Sequence, residues 1–131
     1  MTPHTVATTA LTRPFWDAAS EGRLVIQQCP ACGHRQWTPQ FACQGCLREE
    51  PEWLTCSGNG IIYSASTVHR SPDAERWPPP YVVAIVALAE GPHMLTTVVG
   101  ALPSEVHIGA SVHVVFRADD DGRWLYEFEL T

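Results

Sequence analysis

Four of the chain's five cysteines form two Cys-x-x-Cys pairs close together in the sequence: Cys29, Cys32, Cys43 and Cys46. Each pair can place two sulfurs on one side of a metal ion. The residues between the pairs, 33–42, are enough for a hairpin with Thr38 and Pro39 at its tip. This spacing is typical of a zinc ribbon, in which the metal replaces the core that so short a segment cannot build.

Four thiolates complete the tetrahedral coordination of Zn²⁺ and leave no position for water or substrate. We therefore expect one structural zinc ion per chain. Rubredoxins hold iron in the same kind of site, and the spacing alone does not separate the two metals. His34 follows the first pair and is an alternative ligand, although four thiolates already suffice. The fifth cysteine, Cys56, is expected to be a small buried apolar residue and not a nucleophile.

The residues before the cysteines predict a disordered tail over 1–10 and a short helix over 11–22. Thr12 can cap this helix, Pro14 suits its first turn and Gly22 ends it. One side of the helix is apolar and carries Phe15, Trp16 and Ala19. Because so short a helix is marginal on its own, it must pack against another element.

A strand over residues 24–28 leads into the cysteines, and residues 47–56 are expected to be a connection. The remainder has an all-β pattern with five predicted strands: 60–70, 81–89, 94–100, 112–116 and 123–130. Residues 71–80 contain four prolines and are predicted to be an irregular loop. The whole pattern predicts a mainly β chain, with an N-terminal helix, a rubredoxin-like zinc ribbon and a C-terminal five-stranded OB-fold barrel.

A five-stranded sandwich is the alternative to the barrel. The predicted domains are a tail and helix, the zinc ribbon and the OB-fold, over residues 1–22, 23–56 and 57–131. The strand over 81–89 has the composition of a strand buried on both faces. In the last strand, Glu127 and Glu129 alternate with aromatic residues and are expected to face the solvent.

Charge limits the classes of partner. The chain has 8 basic residues, all arginine, and 14 acidic residues, for a net charge of -6. Residues 57–131 carry four arginines and nine carboxylates, a net charge of -5. A groove that follows phosphates needs basic residues, so nucleic acid and anionic membranes are not expected partners. The N-terminus lacks the features of a signal peptide, and no apolar run reaches membrane-spanning length, so we expect a soluble, cytoplasmic protein.

The sequence contains no G-x-S-x-G, P-loop or H-E-x-x-H motif, and no catalytic residue is predicted. His69 and His113 are candidate acid–base groups, but solvated or hydrogen-bonded histidines are more common. Asp119, Asp120 and Asp121 are expected to form a turn. Apolar residues on peripheral elements are more informative, because such residues often bind other proteins. The candidate partner-interface residues are Phe15, Trp16, Trp77 and Tyr81, unless their own chain covers them.

Five consecutive pieces of the sequence carry a family resemblance: FWDAASEGRLVIQQC (15–29), CPACGHRQWTPQFACQGC (29–46), WLTCSGNGIIYSASTVHR (53–70), PPPYVVAIVALAEGPHMLTTVVG (78–100) and IGASVHVVF (108–116). Together they resemble the zinc-ribbon plus OB-fold family of acyl-CoA-associated proteins, long catalogued as a domain of unknown function. One departure is visible at the ribbon tip, where the family often has Pro-Pro-Arg and this chain has Thr38, Pro39 and Gln40. If that arginine holds a phosphate or a partner carboxylate, this chain lacks the contact.

The resemblance implies a non-catalytic accessory subunit. Family members associate with thiolase-fold enzymes, including aldolases, thiolases and acyltransferases, and some of these act on steroid side-chain acyl-CoAs. Others accompany MaoC-type enoyl-CoA hydratases. The partner supplies the catalytic residues, and a 2:2 hetero-oligomer, with two copies of this chain flanking a partner dimer, is implied. A contact between this chain and CoA also fits the resemblance.

Two alternatives come from other classes of protein. A nucleic-acid-binding OB module would use the aromatic residues of the barrel for stacking, and a steep salt dependence of binding would identify it. An independent enzyme would use Cys56 or His69, and the isolated chain would then lose its activity on Cys56→Ser or His69→Ala.

Overall fold

The computed structural model describes residues 8–120 and 122–131, so most of the predicted disordered tail and Asp121 lie outside the described residues. The described residues form one α-helix, eight β-strands and a short 3₁₀ helix at Pro103–Glu105. In chain order the helix and strands are α1 (Arg13–Ser20), β1 (Val25–Gln28), β2 (Arg35–Gln36), β3 (Glu52–Thr55), β4 (Asn59–Val68), β5 (Tyr81–Leu88), β6 (His93–Val98), β7 (Ser111–Ala118) and β8 (Trp124–Leu130). None of the described helical residues forms a helix long and apolar enough to cross a membrane.

The chain divides into two compact units. One contains the described residues up to Ser57 together with Phe116–Tyr126, and the other contains Gly58–Val115 and Glu127–Thr131. Strands β7 and β8 contribute residues to both units.

Helix α1 begins at the predicted position, with Thr12 at its N-cap and Pro14 in its first turn. The Thr12 side chain does not cap the helix, because its hydroxyl accepts a hydrogen bond from the Thr9 N–H at 3.1 Å. The C-terminus is closed by a Schellman motif, in which the N–H groups of Gly22 and Arg23 donate to the carbonyls of Ala19 and Ala18. Gly22 adopts the left-handed conformation that this motif requires, with φ 76°.

A three-stranded antiparallel sheet in the order β2-β1-β3 follows the helix. Strand β1 pairs with β3 over its whole length, from Val25 opposite Thr55 to Gln28 opposite Glu52. The prediction of a connection over residues 47–56 is therefore wrong for β3. A strand of four residues offers a single alternation of polar and apolar side chains, which is too little for a periodicity signal.

The other five strands form a closed barrel in the order β4-β5-β6-β8-β7, as the OB-fold prediction requires. Strands β4, β5 and β6 are consecutive antiparallel neighbours, with a β-bulge in β4 between Ile62 and Ser64. The barrel core contains side chains that are at most 5% exposed: Ile62, Val82, Ala84, Val86, Leu88, Met94, Val98, Val112 and Phe128.

Two face assignments in the barrel differ from the prediction. Strand β5 is buried on one face, at Val82, Ala84, Val86 and Leu88, and is only half-buried on the other. Glu127, expected in the solvent, is 5% exposed, and its Oε2 accepts a hydrogen bond from the Thr97 hydroxyl at 3.0 Å. A neighbouring hydroxyl on β6 gives this carboxylate a partner that the sequence of β8 does not reveal.

Candidate metal centre

The two Cys-x-x-Cys pairs fold into knuckles with the same backbone hydrogen bonds. In the first, the Gly33 N–H donates to the Cys29 carbonyl at 2.9 Å, and the Cys29 N–H donates to the His34 carbonyl at 2.9 Å. In the second, Leu47 and Arg48 take the places of Gly33 and His34, with both bonds at 2.8 Å. Gly33 and Leu47 both adopt positive φ, 77° and 67°. The second knuckle therefore places a leucine in a conformation that favours glycine.

The knuckles bring the four sulfurs together. All four Sγ atoms lie within 4.8 Å of one another. The Sγ atoms of Cys29 and Cys46 are 3.6 Å apart, and those of Cys32 and Cys43 are 3.5 Å apart. A tetrahedron with zinc–sulfur bonds of about 2.3 Å has sulfur–sulfur edges of about 3.8 Å, so the donor set fits one zinc ion.

Backbone amides favour the thiolate form of two of these cysteines. The N–H of Cys32 lowers the pKa of Cys29 to about 6, and the N–H of Cys46 lowers the pKa of Cys43. The Cys46 and Gly45 N–H groups lie 3.4 and 3.3 Å from the Cys43 Sγ.

Cys32 behaves differently from Cys29 and Cys43. The His34 N–H lowers the pKa of Cys32, but hydrogen bonding to Cys43, burial and the sulfurs of Cys46 and Cys29 outweigh it and raise that pKa to about 12. A divalent metal ion matches this donor set, which would supply a closed tetrathiolate site with a structural role.

The remaining candidate residues lie outside this group of sulfurs. Cys56 is 9% exposed, and its N–H donates to the Leu24 carbonyl at 2.7 Å. His34 is exposed, and it does not belong to the group of side chains that could hold a metal within the described residues.

The candidate acid–base and acidic residues are on the second unit and the turn before β8. His69 is exposed, whereas the Nδ1 of His113 lies 3.3 Å from the Thr131 hydroxyl. The Asp119 carboxylate accepts a hydrogen bond from the Arg123 N–H at 2.9 Å, which fits a turn.

The four predicted interface residues fall into two groups. Phe15 is 1% exposed, and its ring packs on Trp16, Trp37 and Tyr126 with centroid distances of 4.9, 4.5 and 5.5 Å. Because its own chain covers Phe15, that side chain offers no surface to a partner, which corrects the expectation for Phe15. Trp16 is half-buried at the edge of this aromatic cluster.

Trp77 and Tyr81 form the second group. Their rings are 5.7 Å apart, and both side chains are half-buried. The loop before Tyr81 is ordered by Asp73, whose carbonyl accepts from the Trp77 N–H at 2.8 Å and whose Oδ1 accepts from the Arg76 N–H at 3.3 Å. The proline-rich loop therefore contains an ordered turn, which holds the Trp77 indole in place.

The sequence analysis missed several exposed apolar side chains. On the barrel, Ile61, Tyr63 and Leu95 are 50%, 58% and 66% exposed, and the Tyr63 ring lies 4.4 Å from that of His93. On the second knuckle, Phe41 and Leu47 are 76% and 74% exposed. A signal was present in β4, where Ile61 and Ile62 are adjacent. Since neighbouring residues of a strand face opposite sides, one of the two had to point outward.

Comparison with known proteins gives consistent results for both parts of the chain. Residues 16–52 match the family model described as the ChsH2 rubredoxin-like zinc ribbon domain, and residues 53–117 match the ChsH2 C-terminal OB-fold domain. A DUF35 domain-containing scaffold protein of Methanocaldococcus jannaschii is 34% identical over 81% of this chain and 79% of its own length. A solved structure of an Ltp2-ChsH2(DUF35) aldolase is 31% identical, with a TM-score of 0.88 over 96% of this chain and 98% of that one.

A longer relative is also similar. A probable enoyl-CoA hydratase alpha subunit of Thermomonospora curvata is 37% identical over 75% of this chain. The matching region is 31% of that protein, so the chain spans about a third of the length of this relative.

Proposed function

Because the chain belongs to the DUF35 scaffold family and carries a ChsH2-type zinc ribbon and OB-fold domain, we propose that it is a non-catalytic, zinc-containing subunit of an acyl-CoA enzyme. The partner is a thiolase-superfamily enzyme, namely an aldolase, a thiolase or an acyltransferase. Steroid side-chain acyl-CoAs are one class of substrate that such a complex would process. The partner supplies the reacting groups, and this chain binds and supports it.

One observation carries this proposal: the similarity to a chain of an Ltp2-ChsH2(DUF35) aldolase extends over 98% of that chain at a TM-score of 0.88. At 31% identity, the similarity includes sequence as well as fold. Four cysteines that can close the coordination of one zinc ion fit a structural metal, because no ligand position remains for a substrate.

The proposed contact residues are aromatic, and each unit contributes its own. They include Trp16 at the edge of the aromatic cluster, and Trp77 and Tyr81 on the proline-rich loop and the start of β5. Half-buried aromatic rings are well suited to protein interfaces, because they bury a large area with little loss of side-chain entropy. Proposed partner stoichiometry is 2:2, with two copies of this chain on a partner dimer.

A MaoC-type enoyl-CoA hydratase partner is the second candidate. The observation that favours it is the 37% identity to a segment of a probable enoyl-CoA hydratase alpha subunit. In that case this chain would bind and support a hydratase and not an enzyme that forms or cleaves carbon–carbon bonds.

The test is purification of the tagged chain from the organism that produces it, under native conditions. Mass spectrometry would identify the co-purifying proteins, and native mass spectrometry would give their stoichiometry. The zinc content and the acyl-CoA turnover of the purified complex would be compared with those of the isolated chain. We expect an equimolar thiolase-fold enzyme in a 2:2 complex, with turnover in the complex alone.

Other results would change the assignment. An equimolar hydratase with hydration activity would replace the first candidate by the second. Turnover by the isolated chain, or bound nucleic acid with no acyl-CoA enzyme, would contradict the proposal of an accessory subunit.

A further inference from the structure

Two glutamines of the ribbon are buried side by side. Gln27 on β1 and Gln36 on β2 are directly opposite each other in the antiparallel pair. They are 2% and 7% exposed, far less than is usual for an amide side chain. The Gln36 Nε2 donates to the Gln27 Oε1 at 2.7 Å, so the two amides are linked.

Gln27 holds a peptide group of the segment that leads to the second knuckle. Its Oε1 accepts from the Gln40 N–H at 2.8 Å, and its Nε2 donates to the Gln40 carbonyl at 2.9 Å. One side chain therefore satisfies both polar groups of residue 40, as a neighbouring strand would. This pattern fits one orientation of the Gln27 amide, because the flipped orientation would place its NH₂ against two donors.

Gln36 holds the next part of the same segment. Its Nε2 lies 3.2 Å from the Ala42 carbonyl, and its Oε1 accepts from the Gln44 N–H at 2.9 Å. These two peptide groups are on either side of Cys43, a predicted zinc ligand. The network thus binds the backbone immediately before and after the first cysteine of the second knuckle.

Backbone pairing provides less support at this place. In residues 37–44, the backbone pairs with the segment that directly follows the second knuckle, through the Ala42–Glu49 bridge and the hydrogen bonds of Phe41 with Glu50 and of Cys43 with Arg48. Cys29, by contrast, directly follows β1, which pairs with strands on both sides. The first knuckle is therefore held directly by β1, whereas residues 40–44 of the second knuckle are held to that sheet by two buried amides. A buried amide that loses its partners is costly, so this connection is stiff.

We propose that Gln27 and Gln36 are positioning residues for the second pair of metal ligands, Cys43 and Cys46. They fix the distance between the two knuckles before the metal binds, and they slow the opening of the second knuckle once it is bound. The role is independent of the partner enzyme, since it concerns the metal centre alone.

The test uses the full chain purified with zinc, after the metal content of the wild type has been checked to be one per chain. Gln36→Met removes the amide and keeps a side chain of similar length. Two quantities are measured: the rate of zinc release to a coloured chelator, and the rate at which each cysteine is alkylated, resolved by mass spectrometry. We expect roughly ten-fold faster zinc release, because buried peptide groups lose their partners. Cys43 and Cys46 should be alkylated well before Cys29 and Cys32.

Two further variants make the test specific. Gln28→Met is the matched control, because Gln28 is next to Gln27 on β1 but lies outside the network, and both rates should stay at the wild-type value. Gln27→Met frees the Gln40 peptide group but leaves the contacts of Gln36 with Ala42 and Gln44, so it should give an intermediate effect. If Gln36→Met does not fold, the order of alkylation in Gln27→Met decides. Equal acceleration at all four cysteines, or no change, would overturn the proposal.

Discussion

At the scale of single residues, Tyr126 shows how packing among the aromatic rings around Phe15 changes the pKa of a phenol. The Tyr126 ring lies 5.5 Å from Phe15 and 6.4 Å from Trp37, centroid to centroid. Burial raises the pKa of Tyr126 to about 12 from an ordinary value of 10. The phenol therefore keeps its proton in the folded chain over a pH range in which the unfolded chain loses it.

This difference predicts how stability changes at alkaline pH. The contribution of Tyr126 is fully present below pH 10 and is lost as the pH rises from 10 through about 12, because the unfolded state then binds fewer protons. The absorbance at 295 nm, wild type minus Tyr126→Phe, should show a tyrosinate step with a midpoint near 12. The stability of Tyr126→Phe should also depend less steeply on pH in this range. A difference step near pH 10 would mean that the ring is solvated.

Single residues also differ in how far the sequence predicts their roles. The roles of the four cysteines can be predicted from the sequence because each Cys-x-x-Cys turn is local and brings its own two sulfurs together. The roles of Gln27 and Gln36 cannot be predicted from the sequence, because their partners are backbone groups, which every residue has. The side chains of residues 40–44 therefore do not indicate that their backbone binds a buried amide.

At the scale of elements, most strands could be predicted from their composition, whereas the short strand β3 could not. The all-β pattern placed β4 and β5 within a few residues, because ten and eight residues give a long enough run of β-forming residues. Strand β3 has four residues and depends on pairing with β1, which is a tertiary interaction. The solvent-facing prediction for Glu127 failed for a related reason, since its partner Thr97 lies on another strand.

The Glu127 contact makes a prediction about strand β6. Thr97→Val keeps the shape of the side chain but removes the hydroxyl that donates to the buried carboxylate. We expect a loss of about 1–3 kcal/mol in the free energy of unfolding, and a melting temperature lower by roughly 3–10 °C for a chain of this size. Thermal and urea unfolding would measure both values.

The matched control for this variant is Thr67→Val on β4. Thr67 is also a half-buried strand threonine, and its hydroxyl makes no hydrogen bond within the part of the chain that the structure describes. Its replacement should change stability by less than about 0.5 kcal/mol. Equal losses at positions 67 and 97 would show that the Thr97 hydroxyl contributes nothing specific.

At the scale of the whole molecule, the distribution of apolar residues favours a protein that works in a complex. Several large apolar side chains lie outside the core and remain exposed, among them Phe41, Leu47, Tyr63 and Leu95. Single exposed apolar residues are common. The left-handed backbone of Leu47 follows from the knuckle, in which its N–H donates to the Cys43 carbonyl. The exposure of both Phe41 and Leu47 on one knuckle is the feature that a partner would explain.

The last prediction separates the two surfaces on which a partner enzyme could bind. Trp77→Ala removes the indole that the turn at Asp73 holds beside Tyr81. If the proline-rich loop is part of the proposed interface, this variant should weaken the complex by roughly thirty-fold or more, as expected for a central aromatic residue. Zinc content should stay at one per chain, because the metal centre is built from other residues. Titration of the purified partner, followed by calorimetry, would give the dissociation constant.

Phe41→Ala is the informative comparison, because it removes an exposed aromatic ring from the second knuckle and not from the loop. With the proposed interface, its dissociation constant should be close to the wild-type value. If Phe41→Ala weakens binding and Trp77→Ala does not, the zinc ribbon carries the interface and the loop assignment is wrong. The unfolding transition of each isolated variant decides whether a weaker complex reflects a lost contact or a less stable chain.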